Sequence, residues 1–404
     1  MKAVELKKDV YWVGALDWAV RDFHGYEVPR GTSYNNYLVL DDEITLIDTV
    51  KYDFAEITIK NIAGIVDPAK IKHVIINHIE NDHATSLDRI MAYAPEATIY
   101  ITEKGRRGLE RFFNLEQWKI KVVKSGDTLC TGKKTFSFIE TPMLHWPDSM
   151  VTYLHEDKIL FTQDAFGQHI ASSGRFDDEF VAEYSDADLE DAVIDYYANI
   201  LMPFGQMIKM KLAEIEKLGL AIDIVAPDHG IIWRKDPGKV FRMYLDMANN
   251  KANLSVVVIY DTMWQSTEKM IVPITEGIRD VGVGVKIIKL RATPTSVAIK
   301  EFWKARAALI GSPTLNNIMY PSIAEYLNHL RGLRPKNRLV GAFGSYGWGG
   351  GAVKEIYDEF KRMGLDAVEP GLQILYKPSL KDEELCFEFG KDFANKVIEY
   401  HNKF

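Results

Sequence analysis

The chain reads as α/β in two domains: a two-sheet sandwich flanked by helices over residues 1–250, and a doubly wound parallel sheet over 251–404. Three observations carry this. At 404 residues the chain exceeds what one hydrophobic core ordinarily serves, so two or three domains are expected. In the first part, short strand-type runs mix with helical patterns and end in loops carrying His, Asp and Glu. After Asn249-Asn250-Lys251 the composition shifts to near-continuous apolar strands alternating with helices, as buried parallel strands require.

Taken in order, strands are expected at Val10–Ala15, Tyr34–Leu40 and Ile44–Asp48, separated by Gly- and Asp-rich turns. A helical pattern from Phe54 to Ile65 stops at Asp67-Pro68, where proline ends it, and Ile71–Ile76 is a fully apolar strand. A helix over Ala84–Ala94, a strand at Thr98–Thr102 and a helix to about Phe113 follow. Further strands fall at Lys119–Val123, Thr135–Glu140, Val151–His155, Lys158–Phe161 and Ile222–Ala226, with an amphipathic region from Asp186 to Leu218 broken at Pro203. In the second part five strands are expected: Leu254–Tyr260, Val285–Leu290, Ala307–Gly311, Arg338–Phe343 and Leu372–Tyr376.

Composition excludes several classes. Hydrophobic residues make up 47% and charged residues 26%, values of a soluble globular protein. A net charge of −8 speaks against general nucleic-acid binding. The opening MKAVELKKDVYW has no apolar core of a signal peptide, and no run of 18 apolar residues predicts a membrane span. Cys130 and Cys386 form no C-x-x-C pair, which rules out a disulfide scaffold or a fused cysteine-ligated metal module and fits a reducing cytoplasm.

The densest chemistry lies in Asn77–Ala84, N-H-I-E-N-D-H-A, straight after an apolar strand. It places His78, Glu80, Asp82 and His83 within six residues. Three more strand-end loops present His145, Asp164 and His229. A lone His after a strand is ordinarily a hydrogen-bonded loop residue, but seven nitrogen and oxygen donors in such loops are too many for one tetrahedral ion. They suit two metals, three terminal donors each, with one bridging carboxylate. The other histidines, His24 apart, are read as structural.

In the second part, the strand to Tyr260 runs into a hydroxyl-rich loop and a helix start: Thr262, Met263, Trp264, Gln265, Ser266 and Thr267. That arrangement binds phosphate through backbone N–H groups and hydroxyls. Two later loops follow strands, one with Ser312, Pro313, Thr314 and Asn316, the other with Ser345, Tyr346, Gly347, Trp348, Gly349 and Gly350. Their aromatics could cover a flat ring, and their glycines admit close backbone approach.

The ligand order H-x-[EH]-x-D-H…H…D…H resembles the metallo-β-lactamase superfamily, whose hydrolases usually carry His at the third position and bind zinc. Here that position is Glu80, a harder donor that favours iron. The second part resembles flavodoxin, which binds FMN. Together, a metallo-β-lactamase-like αββα sandwich and a flavodoxin-like domain resemble the flavodiiron protein family (A-type) over essentially the full chain. The resemblance implies one iron held by His78, Glu80 and His145, a second by Asp82, His83 and His229, and Asp164 bridging. It implies reduction of O2 to water, or of NO to N2O, with electrons passed through FMN. His24 and Tyr197 are implied to hydrogen-bond the substrate oxygen at the metals. Within the family the sequence looks most like the methanogen branch, which oxidises reduced coenzyme F-420, so that deazaflavin is the expected external donor, ahead of rubredoxin. A head-to-tail homodimer or dimer of dimers is implied, bringing each FMN to a neighbour's iron site. Two rival readings remain: a zinc hydrolase fused to a flavodoxin, against which Glu80 stands, and a metal-free FMN electron carrier, against which the full ligand set stands.

Overall fold

The computed structural model describes residues 2–404 and divides them into two compact units, 2–196 with 204–248, and 197–203 with 249–404. In the first unit, a seven-stranded sheet runs in the order Val4–Lys7, Val10–Trp12, Tyr37–Val39, Ile44–Ile47, Ile71–Ile75, Thr98–Ile101, Lys119–Val122. A five-stranded sheet has Thr128–Cys130, Thr135–Glu140, Met150–Leu154, Ile159–Gln163 and Ile224–Pro227 in sequence order. The sheets face each other across one core: Trp12, Tyr37 and Ile75 from the first meet Phe136, Phe138 and Phe161 from the second. Strand alternation then points Leu38, Leu46 and Val74 outward, where they pack under Ile59, Ile62, Leu87 and Ile90 of the helices Ala55–Ala63 and Leu87–Tyr93. On the other side, Val151 and Leu160 pack with Phe241 of the helix Pro237–Ala248. This is the helix–sheet–sheet–helix sandwich expected.

The seven-stranded sheet is antiparallel over its first four strands and parallel from Ile44–Ile47 onward, and the five-stranded sheet is antiparallel except for its last pair; parallel pairs thus place Ile44–Ile47 beside Ile71–Ile75 and Ile159–Gln163 beside Ile224–Pro227. The C-terminal ends of these four strands carry Asp48, the 77–84 loop, Asp164 and His229. Loops at the C-terminal ends of parallel strands are the usual place for ligands in α/β proteins.

The region expected to break at Pro203 does so earlier. The helix Asp186–Tyr196 passes into five residues of wide π-turn, Tyr197–Leu201, then Met202–Phe204, before the helix Gly205–Lys217 resumes. Tyr197 to Pro203 belong to the second unit, where the Tyr197 ring lies 5.4 Å from that of Trp303.

The second unit is a parallel sheet in the order Gly284–Lys289, Asn253–Tyr260, Ala305–Gly311, Leu339–Tyr346, with Leu372–Leu375 and the short Asp366–Ala367 both paired to the last of these. Two helices, Ser266–Asp280 and Leu380–His401, cover one face and approach closely through glycines. A Cβ added at Gly277 would meet the Phe387 carbonyl oxygen at 2.0 Å, and one at Gly390 the Ile274 carbonyl oxygen at 2.0 Å. Backbone cannot yield as a side-chain tip does, so Gly277→Ala is expected to cost about 2 kcal/mol. Scanning calorimetry should show the second unit unfolding about 4–8 °C earlier; an unchanged midpoint would mean the helices separate freely. No helix among the described residues is long and apolar enough to cross a membrane.

Candidate metal centre and flavin site

The seven expected ligands converge. Asp164 Oδ2 lies 2.8 Å from His145 Nε2 and 3.6 Å from His78 Nε2, and Glu80 Oε2 lies 3.3 and 3.2 Å from the same two nitrogens. The other oxygen, Asp164 Oδ1, lies 2.7 Å from His83 Nε2 and 3.4 Å from His229 Nε2, while Asp82 Oδ2 is 3.3 and 3.0 Å from them. One carboxylate therefore faces two sets of three donors, one oxygen to each.

His78 and His229 are held with Nε2 inward by hydrogen bonds on Nδ1, while His83 Nδ1 faces a carboxylate without bonding it. Asp148 Oδ2 is 3.2 Å from His78 Nδ1, Asp228 Oδ2 is 3.5 Å from His83 Nδ1, and the Ser33 carbonyl is 2.6 Å from His229 Nδ1. A carbonyl only accepts, so His229 donates from Nδ1 and leaves the Nε2 lone pair for a ligand bond. Asn77 anchors the motif loop by donating its backbone N–H and side-chain amide to Asp48, 2.7 Å each, and accepting from Thr152. Burial pushes the Asp48 carboxyl up to about 6 against those hydrogen bonds. The backbone at Asp48, Met143 and Gln163 has positive φ, so these loops carry local strain beside the site.

A metal pair fits. His83 Nε2, His229 Nε2, Asp164 Oδ1 and both Asp82 oxygens are buried without a hydrogen bond of proper geometry, although they crowd within contact distance. Each such orphan costs about 1–3 kcal/mol unless a cation takes its lone pair. Burial alone would raise the Glu80 carboxyl, but hydrogen bonds to His145 and His78 hold it down to about 2, and Asp164 is likewise held well below the carboxylate range. Three ionised carboxylates with four imidazoles make a hard, anionic donor set suited to iron. Asp148→Ala, which removes the acceptor behind His78, is expected to weaken iron retention about 10–100-fold. Iron content after dialysis against a graded chelator measures this.

His24 sits at the mouth, with Nδ1 3.3 Å from Glu80 Oε1 and burial lowering its pKa. It lines a cavity of about 440 Å³ with Phe23, Lys51, Tyr52, Trp146 and the motif residues Glu80 to Asp82. Tyr197 requires correction: its ring faces Trp303, and the neighbouring Tyr196 is the tyrosine beside the centre, 5.0 Å from His169 and 6.4 Å from His229. His169, read as structural, is buried 4.7 Å from the His229 ring with Nδ1 2.8 Å from Thr32 Oγ1. The hydroxyls of Tyr26 and Tyr196 and the His169 Nε2 are buried and without a hydrogen-bond partner.

In the second unit, a cavity of about 500 Å³ opens at the strand C-termini. Met263, Trp264, Ser266, Pro313, Thr314, Asn316, Ser345, Tyr346, Gly347, Trp348 and Gly349 line it as expected, joined by Leu315, Asn317, Tyr376 and the lysines Lys269 and Lys377. Thr262, Gln265, Thr267, Ser312 and Gly350 lie off its wall. Thr267 Oγ1 pairs with Ser345 Oγ at 2.8 Å and Ser312 Oγ accepts from the Tyr320 N–H at 2.9 Å, so these hydroxyls brace the loops. Arg291 adds a further brace, holding the buried Asp261 at 2.8 Å and bonding the Thr262 carbonyl. FMN fits: Trp264 and Trp348 stand almost fully exposed, at 83% and 92%, as uncovered aromatics awaiting a ring. A Cβ at Gly351 would meet the Asn317 carbonyl oxygen at 1.8 Å, which shows how tightly the two later loops are drawn together.

Family models match in the same two places, an ODP family β-lactamase over residues 32–230 and a flavodoxin over 258–390. The chain is 44% identical over 399 residues to a nitric oxide reductase of Moorella thermoacetica, covering 98% of this chain and 99% of that protein. Among solved structures it is similar to the rubredoxin oxygen:oxidoreductase of Desulfovibrio gigas, with a TM-score of 0.95, 37% identity and 99% of each chain covered. The flavodiiron protein of Giardia intestinalis also gives 0.95, at 34% identity, covering 100% of this chain and 98% of that one. With both sites, both family matches and relatives spanning its length, the chain belongs to the flavodiiron proteins, oxidoreductases with FMN in the flavodoxin domain and a non-haem diiron site.

Proposed function

We propose that this protein reduces NO to N2O, taking two NO, two electrons and two protons to one N2O and one water, with O2 reduction to water as its second activity. The observation that carries it is the Asp164-bridged pair of donor sets beside a cavity large enough for diatomic gas. The name of the Moorella thermoacetica relative favours NO, and that of the Desulfovibrio gigas structure favours O2. Two irons held by the two donor sets would supply adjacent one-electron reductants, and FMN held in the flavodoxin cavity would supply two further electrons.

The chain's own residues do the rest. Phe23 and Trp146 give the cavity an apolar wall alongside its charged residues. The Tyr196 hydroxyl, buried without a partner, offers a hydrogen bond on the His229 side. Tyr196→Phe is accordingly expected to lower kcat/KM about tenfold, a loss of about 1.4 kcal/mol. Tyr197→Phe should leave kcat/KM unchanged, and steady-state assays of the pair decide between the two tyrosines.

Reduced coenzyme F-420 is the donor to be tried first, with rubredoxin its rival, in a cytoplasmic head-to-tail homodimer. Anaerobic turnover of iron- and FMN-loaded protein with each gas and each donor tests the reading, with N2O followed by gas chromatography. N2O formation faster than O2 consumption supports it, and O2 consumption without N2O overturns the choice of NO. FMN left unreduced over seconds after stopped-flow mixing with reduced F-420 removes that donor.

A further inference from the structure

Of the residues that line the flavin cavity, Lys269 and Lys377 alone are charged, and no carboxylate joins them. Neither lysine has an ion pair among the described residues. The nearby acids are committed elsewhere: Glu268 to Lys289 at 3.1 Å and to Tyr260, Asp261 to Arg291, Glu355 to the Met319 N–H. A cavity with two free cations and no anion is built for a ligand with more than one negative centre.

The sheet separates the two lysines. Lys269 sits in the first turn of the helix Ser266–Asp280, at the end of the first strand of the unit, where helix N–H groups draw phosphate. Lys377 follows the last strand, Leu372–Leu375, which lies three places further across the sheet, beyond Ala305–Gly311 and Leu339–Tyr346. Tyr376, at φ 55°, donates its N–H to the Tyr346 carbonyl at 2.7 Å, and its ring stands against Gly347, where an added Cβ would meet Cε1 at 3.3 Å. Lys377 is thereby tied to the aromatic end of the cavity, and Lys269 to the phosphate end.

We propose that Lys377 sets the flavin potential by favouring reduced over oxidised FMN, while Lys269 serves the phosphate in both redox states. This rests on the cavity being the FMN site. The oxidised ring is neutral. On taking two electrons from the external donor and one proton from solvent, FMN becomes FMNH−, so one negative charge appears on the ring. A neighbouring ammonium stabilises that charge and has no counterpart to stabilise in the oxidised ring. Lys269 sees the same phosphate charge before and after.

The test is spectroelectrochemical titration of the full-length, FMN-loaded protein with K377M, K377R and K269M. K377M is expected to bind FMNH− about tenfold less tightly relative to oxidised FMN, which is about 30 mV in the two-electron midpoint. K377R should stay within a few millivolts of wild type. K269M should weaken oxidised and reduced FMN alike, about tenfold, with the midpoint unmoved. An unmoved midpoint in K377M overturns the proposal, and so does an equal shift in K269M. Wild-type protein that takes up no FMN overturns the cavity assignment itself, a result told apart by the missing flavin spectrum.

Discussion

Asp164→Asn is expected to strip the centre of at least one iron per chain and to lower gas reduction by at least about 100-fold, some 2.7 kcal/mol of transition-state stabilisation. The side chain keeps its size, so the effect isolates the second oxygen. In the native chain Oδ2 faces His145 and His78 while Oδ1 faces His83 and His229, each within 2.7–3.6 Å. An amide has one acceptor; its NH2 end would turn two hydrogens toward nitrogens whose lone pairs also point inward. Whichever way the amide flips, one donor set loses its shared carboxylate and the buried site loses one negative charge. FMN lies in the other unit and its content should not change. Iron and flavin assays on the same sample provide the measurement, and two irons per chain with native turnover would refute the bridging role.

The sequence made the ligands legible because they are bunched at strand ends: four in one octapeptide and the others each just after an apolar strand. The groups that orient them carried no such signal. Asp48 is a single carboxylate after an ordinary short strand, Ser33 lies inside the short strand Thr32–Tyr34, and Thr32 and His169 meet only through folding, 137 residues apart. Asp148 and Asp228 had a weak local cue, since each lies within three residues of a ligand histidine. The tyrosine choice failed for a definite reason. Adjacent helical residues point about 100° apart, so only one of the two tyrosines can face the centre, and the residue pattern does not say which: Tyr196 lies by His229 and Tyr197 by Trp303. In the flavodoxin half the loops were readable from their glycines and aromatics, whereas Lys377 and Arg291 come from outside those loops and needed the sheet order to place them.

Glu80→His asks whether one carboxylate selects the metal. Glu80 Oε2 lies 3.2 Å from His78 Nε2 and 3.3 Å from His145 Nε2, so an imidazole there would turn the first donor set into three histidines plus Asp164. That set is neutral apart from the bridge, and tetrahedral nitrogen-rich sites suit zinc. Zinc already binds such donors more tightly than ferrous iron, and a hard anionic oxygen is what narrows the gap. The variant, loaded anaerobically from equal ferrous and zinc ions, is therefore expected to hold zinc at the first position. Since zinc has no accessible second redox state, gas reduction should fall at least about 100-fold with FMN content unchanged. Glu80→Asp provides the control, because it keeps the charge and shortens the arm by one methylene; it should retain iron in preference to zinc even if turnover drops. Metal analysis of the three proteins side by side settles it: equal iron contents in wild type and Glu80→His would show that the other six ligands choose the metal without Glu80.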